Sequence, residues 1–371
     1  ANEPVVAIDA GGTNFRAAKV YFDDDLNLKT ENIQHNKMPA VDKELSKEEF
    51  FETLGKYLED YKTTSDKIGF CFSYAAEIYP NKDGKLLEWS KEVKAPEVLG
   101  EMVGKNLLEA MGTPGKQLVL MNDTVSTLLA GKAATAGKSY DTYIGFILGT
   151  GTNTSYIEPN KNITKTKGLN LSGSQIINIE SGNFGKVPRT DIDVAFDNTT
   201  KNPGRYSFEK MFSGGYFGGL CTRALKIAAN EGVFSEKSAV AVKDLKELTS
   251  EEVNKFVSGI DLDDNPLSSV FSTKEDANVA VEIIDGMIER AAKLVAANLA
   301  AVILRTGKAK SAERPVLMTI EGTTFYKLKN FQKMFENFLQ EFLSGNNKRY
   351  YEIVEVENSS LLGAAIAAIV N

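Results

Sequence analysis

Two glycine-rich turns with apolar flanks have the pattern of phosphate-binding turns. Residues 5–20, VVAIDAGGTNFRAAKV, return in altered form at residues 143–158, YIGFILGTGTNTSYIE. Such a turn exposes several backbone N–H groups on one concave surface, and its missing side chains let a phosphate approach closely. Arg16, three residues past Thr13, could meet a phosphate. Either turn alone is more typical of an ordinary hairpin, but the likeness extends into both flanking strands and the pair predicts a clamp around a polyphosphate.

Two carboxylates lie where strand patterns end. Asp9 precedes the first glycine turn, from where it could reach a hydrated Mg²⁺, or it could simply cap the turn. Asp123 follows Asn122 at a change from strand to helix, where either residue could also serve as an N-cap. His35 is the only histidine and lies in a polar stretch, which excludes Ser-His-Asp catalysis. A carboxylate is then the natural base for a hydroxyl nucleophile. If the two turns do bind a polyphosphate, Asp123 is the leading candidate for that base.

Further polar residues are of the types that bind sugars. Ser73 ends the apolar segment IGFCFS, and Trp89-Ser90-Lys91 brings together a hydroxyl, an ammonium group and the only tryptophan. Glu180 and Glu209 are flanked by glycines or turns, where a carboxylate can accept paired hydrogen bonds from vicinal hydroxyls. Trp89 could equally pack in a core, Lys91 could be solvated, and either glutamate could belong to an ordinary surface.

Composition and charge narrow the class of protein. The 371 residues, 42% hydrophobic and 25% charged, predict a soluble globular chain of two domains with a cleft between them. The net charge of -7 argues against a nucleic-acid surface, and no apolar run is long enough to span a membrane. Cys71 and Cys221 are too few for a disulfide framework or a thiolate metal site and are predicted to be core thiols. We expect a cytoplasmic protein.

Alternating strands and helices predict an α/β architecture. In the first part we expect strands at 5–9, 17–22, 67–73 and 117–121, with a helix at 47–61 that begins at a Ser46–Glu49 capping box. From residue 143 the alternation of strands and helices repeats. Apolar residues recur at helical spacing over 281–303, which predicts a long buried helix. A strand is expected at 315–320 and a small-residue helix at 363–370.

Together these segments resemble the hexokinase and glucokinase family of the actin-like ATPase superfamily. DAGGTNFR resembles the first phosphate motif, LGTGTNTSYIE the second and IEGTTFYKL the adenosine motif. IGFCFSYA with WSK, INIESGNFG and NPGRYSFEKMFSGGYFGGL resemble the sugar-binding segments, and MNDTVSTLL resembles the segment that holds the catalytic aspartate. The likeness covers nearly the whole chain in the right order.

The resemblance implies a role for each matching residue. Asp123 would take the proton from the sugar 6-hydroxyl, and Lys91 would stabilise charge on that oxygen and the transferring phosphoryl group. The hexose would be bound by Ser73, Ser90, Lys91, Asn122, Asp123, Asn153, Glu180 and Glu209. The nucleotide would be bound by Asp9, Gly11, Gly12, Thr13, Asn14, Arg16, Gly149, Thr150, Gly151, Gly322, Thr323 and Ser360. Asp9 would hold Mg²⁺ through water.

Several positions differ from the family pattern. Ala75 stands where proline is usual and Ser90 where threonine is usual. Ser181 replaces a tryptophan, which we expect to open space beside the sugar. Glu321 replaces an aspartate in the adenosine motif, and the usual Gly-Ser-Gly-Arg-Gly run appears as residues 358–363, NSSLLG.

The fold expected from this resemblance is two RNase H-like domains flanking a cleft, with limits 1–122 plus 359–371 and 123–358. The expected activity is ATP- and Mg²⁺-dependent phosphorylation of a hexose, with glucose first, by a monomer or homodimer that binds no nucleic acid and no membrane. A filament- or chaperone-type ATPase would share both turns but would not need the WSK segment or the paired glutamates. A catalytically idle sugar sensor of the same fold is the remaining alternative.

Overall fold

The computed structural model describes residues 3–24, 28–89 and 93–371. The strands are β1 (Val5–Gly11), β2 (Asn14–Phe22), β3 (Leu28–Lys37), β4 (Lys67–Phe72), β5 (Ala75–Ile78), β6 (Gly84–Glu88), β7 (Gln117–Met121), β8 (Thr142–Leu148), β9 (Thr152–Pro159), β10 (Ser174–Asn178), β11 (Val316–Glu321) and β12 (Tyr351–Val354). The helices are α1 (Lys47–Tyr57), α2 (Val103–Ala110), α3 (Asp123–Ala134), α4 (Asp191–Asp197), α5 (Phe217–Asn230), α6 (Glu236–Asp244), α7 (Ser250–Ser258), α8 (Lys274–Thr306), α9 (Thr323–Lys327), α10 (Phe331–Phe342) and α11 (Ser359–Val370).

Two five-stranded sheets share one topology. The first has the order β3-β2-β1-β4-β7 and the second the order β10-β9-β8-β11-β12. In each sheet the first three strands of the chain form an antiparallel meander, and the last two add in parallel. The two glycine turns therefore connect equivalent hairpins, β1–β2 and β8–β9. We call the parts built around these sheets the small lobe and the large lobe; the domain limits 1–122 plus 359–371 and 123–358 stay a prediction.

The sequence missed β3 and the β5–β6 hairpin. In β3, which contains His35, buried positions never occur and most residues are polar. An edge strand of this kind has no apolar face to reveal it in the sequence, whereas the central strand β1 is buried along nearly its whole length.

The predicted helices are present with shifted ends. The Ser46–Glu49 capping box starts α1, which ends at Tyr57 and is followed by a 3₁₀ turn at Glu59–Tyr61. The buried helix predicted at 281–303 is α8, which extends to Lys274–Thr306 and crosses the core of the large lobe. Both cysteines are buried and free, as predicted. Within the described ranges no helix is long and apolar enough to cross a membrane.

Helices α3 and α11 pack against each other between the two sheets through glycine contacts. A Cβ on Gly363 of α11 would lie 1.9 Å from the carbonyl oxygen of Ser126 in α3. A Cβ on Gly69 of β4 would lie 1.9 Å from the carbonyl oxygen of Ala364. Since real side chains cannot approach so closely, these glycines set the separation of α11 from the small-lobe sheet and from α3.

Candidate functional site

The carboxyl ends of the parallel strands in both sheets carry predicted site residues. Asp9 lies near the end of β1, Ser73 follows β4 and Asn122 follows β7. In the large lobe Gly149 follows β8, and Glu321 ends β11. Ligands of α/β sheets bind at this edge, and the two sheets present it to the same region between the lobes.

Asp9 is engaged by its hairpin partner and by the start of α11. Its Oδ2 accepts hydrogen bonds from Arg16 Nε (3.1 Å) and Nη2 (2.5 Å) and from Ser360 Oγ (2.9 Å). Arg16 Nη1 also donates to Asn358 Oδ1 (3.0 Å). Arg16, expected at the phosphates, is thus paired with Asp9, and Ser360, expected near the nucleoside, touches both residues.

The first glycine turn lies against the start of the predicted sugar segment. The backbone N–H of Ser73 donates to the carbonyl of Ala10 (3.0 Å), and the Tyr74 hydroxyl donates to the carbonyl of Gly12 (2.7 Å). A Cβ on Gly11 would lie 2.8 Å from Ser73 Oγ. Glycine at 11 therefore lets the hydroxyl of Ser73 approach the turn, on which Thr13 and Asn14 are exposed.

Asn122 and Asp123 begin helix α3. Asn122 is the N-cap, with its Oδ1 accepting from Thr124 N (2.9 Å) and Oγ1 (2.6 Å). Asp123 is the first helical residue, and its Oδ1 accepts from Thr124 N (2.8 Å). The interpretation of Asn122 as the N-cap is correct. Asp123 is not needed as the cap and can therefore act in the cleft, and its negative charge is favoured at a helix N-terminus.

An amide and carboxylate network lies beside the start of α3. Asn153 Nδ2 donates to Glu180 Oε1 (3.1 Å), to Asn178 Oδ1 (2.6 Å) and to Asn122 Oδ1 (3.3 Å). Asn178 Nδ2 donates to the same Glu180 oxygen (2.8 Å). Asn153 and Glu180, both expected at the sugar, contact each other, and the sequence analysis missed their common partner Asn178. The spacing could have indicated Asn178, because residues two apart at the end of a strand lie on the same face as each other, and Glu180 was already a candidate.

Glu209 lies against the second glycine turn. Its Oε2 accepts from the backbone N–H of Thr152 (2.8 Å). A Cβ on Gly151 would lie 2.6 Å from that oxygen, and one on Gly182 would lie 3.0 Å from it. Glycine is thus required at both positions for Glu209 to reach the turn, and the exposed Thr150 lies on the same loop.

The centre of the site is acidic. Burial raises the pKa of the Glu180 carboxyl, the hydrogen bond from Asn178 opposes this, and the charge of Asp123 adds to it. Burial likewise raises the pKa of Glu321, against a hydrogen bond from Ser359 and with the charges of Asp123 and Asp9 adding to it. The carboxylates of Asp9 and Asp123 thus both act on that of Glu321, which is a setting that favours a cation beside it.

The adenosine motif meets the second turn. The Thr324 hydroxyl donates to the carbonyl of Gly149 (3.0 Å), and Gly322 has φ 123° with its Cβ position 2.2 Å from the carbonyl oxygen of Leu148. Only glycine fits such a position. Next to it Thr323 is exposed. Glu321 accepts hydrogen bonds from Ser359 and Thr127, so the extra methylene relative to aspartate reaches the start of α11.

Around the sugar segment the expectation for Ser181 changes, and the core-packing interpretation of Trp89 is confirmed. Ser181 is 4% exposed and its hydroxyl lies 3.0 Å from Thr154 Oγ1, so the expected open space beside the sugar is not present at this side chain. A small hydroxyl here turns inward to a neighbouring strand. Trp89 packs on Phe50, Phe72 and Tyr74 in the small-lobe core. Ser90 and Lys91 lie outside the described residues.

Comparison with known proteins identifies the family. A family model described as Hexokinase matches residues 143–370, and a second model of the same description matches residues 3–133. The chain belongs to the hexokinase family. It is 30% identical over 393 residues to Hexokinase-7 of Oryza sativa subsp. japonica, covering 98% of this chain and 83% of that protein. Hexokinase-3 of Arabidopsis thaliana is 28% identical over 402 residues, with 97% and 79% covered.

Solved hexokinase structures share the fold. A hexokinase from Schistosoma mansoni complexed with glucose superposes with a TM-score of 0.77 at 24% identity, over 99% of this chain and 85% of that chain. Another hexokinase crystal structure gives 0.78 at 23% identity, over 100% and 86%. The expected two-domain actin-like α/β fold is confirmed, and family membership makes this protein a sugar kinase, a phosphotransferase.

Proposed function

We propose that this hexokinase-family chain transfers the γ-phosphoryl group of ATP to the 6-hydroxyl of a hexose, with glucose as the expected substrate. The carrying observation is the position of the amide and carboxylate network formed by Asn153, Asn178 and Glu180. It lies beside Asp123 on one side, and through Asn153 it continues into the strand that follows the second glycine turn. An acceptor bound by this network would lie next to a phosphate bound by that turn.

The sugar contacts in this proposal come from both lobes. Glu180 and Glu209 offer acceptor oxygens, and Asn153 and Asn122 offer amide groups that suit vicinal hydroxyls. Ser73 adds a hydroxyl from the small lobe. Glu180 has φ 55°, a left-handed conformation that is costly for a non-glycine residue and that functional sites often retain.

Asp123 is proposed as the general base. Its position at the start of α3, one residue from Asn122, would place a carboxylate at the hydroxyl that attacks the phosphoryl group. Phosphoryl transfer demands positioning and charge neutralisation more than covalent chemistry, so a base that orients the attacking oxygen suffices. The sequence adds Lys91 as a stabiliser of charge on the phosphoryl group and Ser90 as a further hydroxyl for the sugar.

The nucleotide would lie between the two turns. Gly11, Gly12, Thr13 and Asn14 would line it from the small lobe, and Gly149, Thr150, Gly151, Gly322 and Thr323 from the large lobe. Arg16 and Ser360, which now bond Asp9, are close enough to the first turn to complete the phosphate site.

The residues present fit a hydrated magnesium ion. Carboxylate oxygens are the ligands that Mg²⁺ prefers, and the charges of Asp9 and Asp123 both act on Glu321. Within the described part of the chain no group of three or more candidate side chains is arranged to bind a metal directly, so Asp9 would act through water. When bound, the ion would neutralise charge on the phosphates.

A coupled assay of ADP release with Mg-ATP and a panel of hexoses tests this proposal. The panel should contain glucose, fructose, mannose and glucosamine, with 6-deoxyglucose as the control that lacks the acceptor oxygen. We expect saturable turnover with at least one hexose and none with 6-deoxyglucose. Sugar binding without turnover across the whole panel would contradict the proposal and favour the sensor.

A further inference from the structure

An ion pair joins the two lobes beside the predicted sugar residues. The guanidinium of Arg205 donates to both carboxylate oxygens of Glu88, from Nη1 to Oε1 (3.1 Å) and from Nη2 to Oε2 (2.8 Å). Glu88 ends β6 in the small lobe, and Arg205 lies in the large lobe between α4 and α5. Bidentate pairing of this kind fixes the orientation of both groups, which a single contact does not.

On the large-lobe side the pair is connected to both sugar-binding glutamates. Arg205 lies four residues before Glu209, and the next residue, Tyr206, donates its backbone N–H to Asn183 Oδ1 (3.1 Å) in the turn that follows Glu180. Burial raises the pKa of the Tyr206 hydroxyl, and the charges of Glu88, Glu180 and Glu209 add to it, so all three carboxylates lie near this ring.

Tyr206 also holds a strained backbone. Its φ is 54°, in the left-handed region that non-glycine residues seldom adopt. The neighbouring contacts must maintain that conformation next to Arg205. The guanidinium lies 5.4 Å from the Tyr206 ring centre, a cation–π distance that further restricts it.

On the small-lobe side the pair is connected to the first glycine turn. Glu88 precedes Trp89, whose indole N–H donates to the carbonyl of Ala95 (2.8 Å) and whose ring lies 4.8 Å from that of Tyr74. The Tyr74 hydroxyl in turn donates to the carbonyl of Gly12. Glu88 is therefore attached to a rigid aromatic cluster that contacts the phosphate turn.

We propose that Arg205 and Glu88 are positioning residues for the sugar kinase reaction: their pairing holds the two lobes together around the sugar. This rests on the proposed sugar site. Neither residue touches the reacting atoms in this scheme, so the pair acts on sugar affinity through lobe closure and leaves the transfer step unchanged. Because both groups are partly exposed, 50% and 39%, the pair is screened by salt.

The test compares Arg205→Met with the wild type by hexose titration and by kinetics. Trp89 is the only tryptophan and adjoins the pair, so its fluorescence gives a sugar Kd that does not depend on turnover. We expect the sugar Kd and KM of Arg205→Met to rise about two- to fivefold, the range of an exposed ion pair, with kcat within about twofold of the wild type. Raising the salt to about 0.5 M should bring the wild type toward the variant and leave the variant unchanged.

Two further variants separate pairing from local damage. The double exchange Glu88→Arg with Arg205→Glu should recover sugar affinity that Glu88→Arg alone loses. Lys138→Met is the matched control, because Lys138 forms a comparably exposed ion pair with Glu352 (2.8 Å) within the large lobe, and it should leave sugar affinity unchanged. Unchanged sugar affinity in Arg205→Met, or no recovery in the double exchange, would overturn the proposal.

A failure of the proposed sugar site would give a different result from a failure of the ion-pair proposal. If the wild type binds no hexose, the proposed function fails, and sugar-free small-angle scattering then tests the contact alone. The radius of gyration should rise in Arg205→Met and in wild type at about 0.5 M salt, and stay constant in Lys138→Met. A radius that is the same in all of these samples would overturn the contact as well.

Discussion

Asp123 has the residue type and position of a base, and neither is unique in the chain. Asp191 is also the first residue of a helix, with Thr190 as its N-cap. What distinguishes Asp123 is its surroundings: it lies near Glu321, whose pKa burial raises and whose pKa the charges of Asp123 and Asp9 raise further. An aspartate at the first position of a helix can therefore be a base or only a capping residue. The side chains that distant segments place beside it decide which.

The Asp123→Asn variant tests the base directly. We expect kcat to fall by roughly two orders of magnitude or more, since the hydroxyl loses its proton acceptor, while the sugar Kd stays within about tenfold. Steady-state kinetics and the Trp89 titration measure the two quantities. Asp191→Asn, which removes a carboxylate from an equivalent helix position, should keep full turnover. Near-normal turnover of Asp123→Asn would rule out this residue as the base.

Asn178 is expected to keep Glu180 ionised. It donates to the Glu180 carboxylate and so lowers a pKa that burial raises. In Asn178→Ala that pKa should rise further. In the proposed sugar site an ionised Glu180 accepts hydrogen bonds from the hydroxyls, so sugar affinity should be full above this pKa and lost as the pH falls through it.

The measurement is sugar KM against pH for wild type and Asn178→Ala. At neutral pH the variant should show a KM raised about tenfold, the order expected for a lost hydrogen bond to a charged group. The acid-side loss of affinity should begin at a higher pH than in the wild type. Parallel pH profiles for the two proteins would show that Asn178 does not act through the charge of Glu180.

At the scale of elements, close helix packing sets the geometry between the lobes. Helices α3 and α11 belong to different sheets and approach each other at Gly363, where a side chain would collide with the Ser126 carbonyl. Ser359 and Ser360 at the start of α11 bond Glu321 and Asp9, residues of the two different sheets. Any shift of α11 would therefore move both ends of the proposed phosphate site.

The Gly363→Ala variant should be destabilised despite the better helix propensity of alanine. Its Cβ cannot fit without moving α11 from α3, and overpacking of this kind costs about 1–3 kcal/mol. Gly286→Ala in α8 is the matched control, because nothing lies within 4 Å of its Cβ position, and there alanine should stabilise by about 1 kcal/mol. Urea denaturation measures both; equal shifts of the same sign would contradict the packing argument.

At the scale of the molecule, the proposed sugar site takes side chains from both lobes. Ser73 belongs to the small lobe, whereas Glu180 and Glu209 belong to the large lobe. A sugar that contacts both must favour the arrangement in which the lobes meet, which also excludes water that would otherwise accept the phosphoryl group. The Arg205–Glu88 pair would favour the same arrangement.

Sugar binding should accordingly stabilise both lobes together. A substrate hexose at about 100 times its Kd should raise the free energy of unfolding by about 2.7 kcal/mol. Calorimetry should show every unfolding transition moving upward with the hexose, and none moving with sorbitol, an open-chain control. A shift confined to one transition would mean that the sugar contacts one lobe alone.

The sequence by itself was enough to predict the helices and strands with clear apolar patterns and the segments whose residue types suit phosphate or sugar binding. The helix α8 is evident because burial along one face imposes a period of 3.6 residues, and the central strands are evident because burial on both faces leaves short continuous apolar runs. Both glycine turns are evident from their composition. The edge strand β3 was missed because an exposed polar strand has no such period. Family motifs supplied the roles proposed for Asp123, Glu180 and Glu209.

Only the tertiary structure decided which of these residues meet. Asn178 bonds both Glu180 and Asn153, Ser181 lies against Thr154, and Arg205 bonds Glu88, from which it is 117 residues apart in the chain. No local pattern encodes such contacts: the first two join segments of the large lobe that pairing of β9 with β10 brings together, and the third crosses between the lobes. The sequence alone predicted that the paired glycine turns bind phosphate. That they lie at equivalent edges of two sheets is known only from the folded structure.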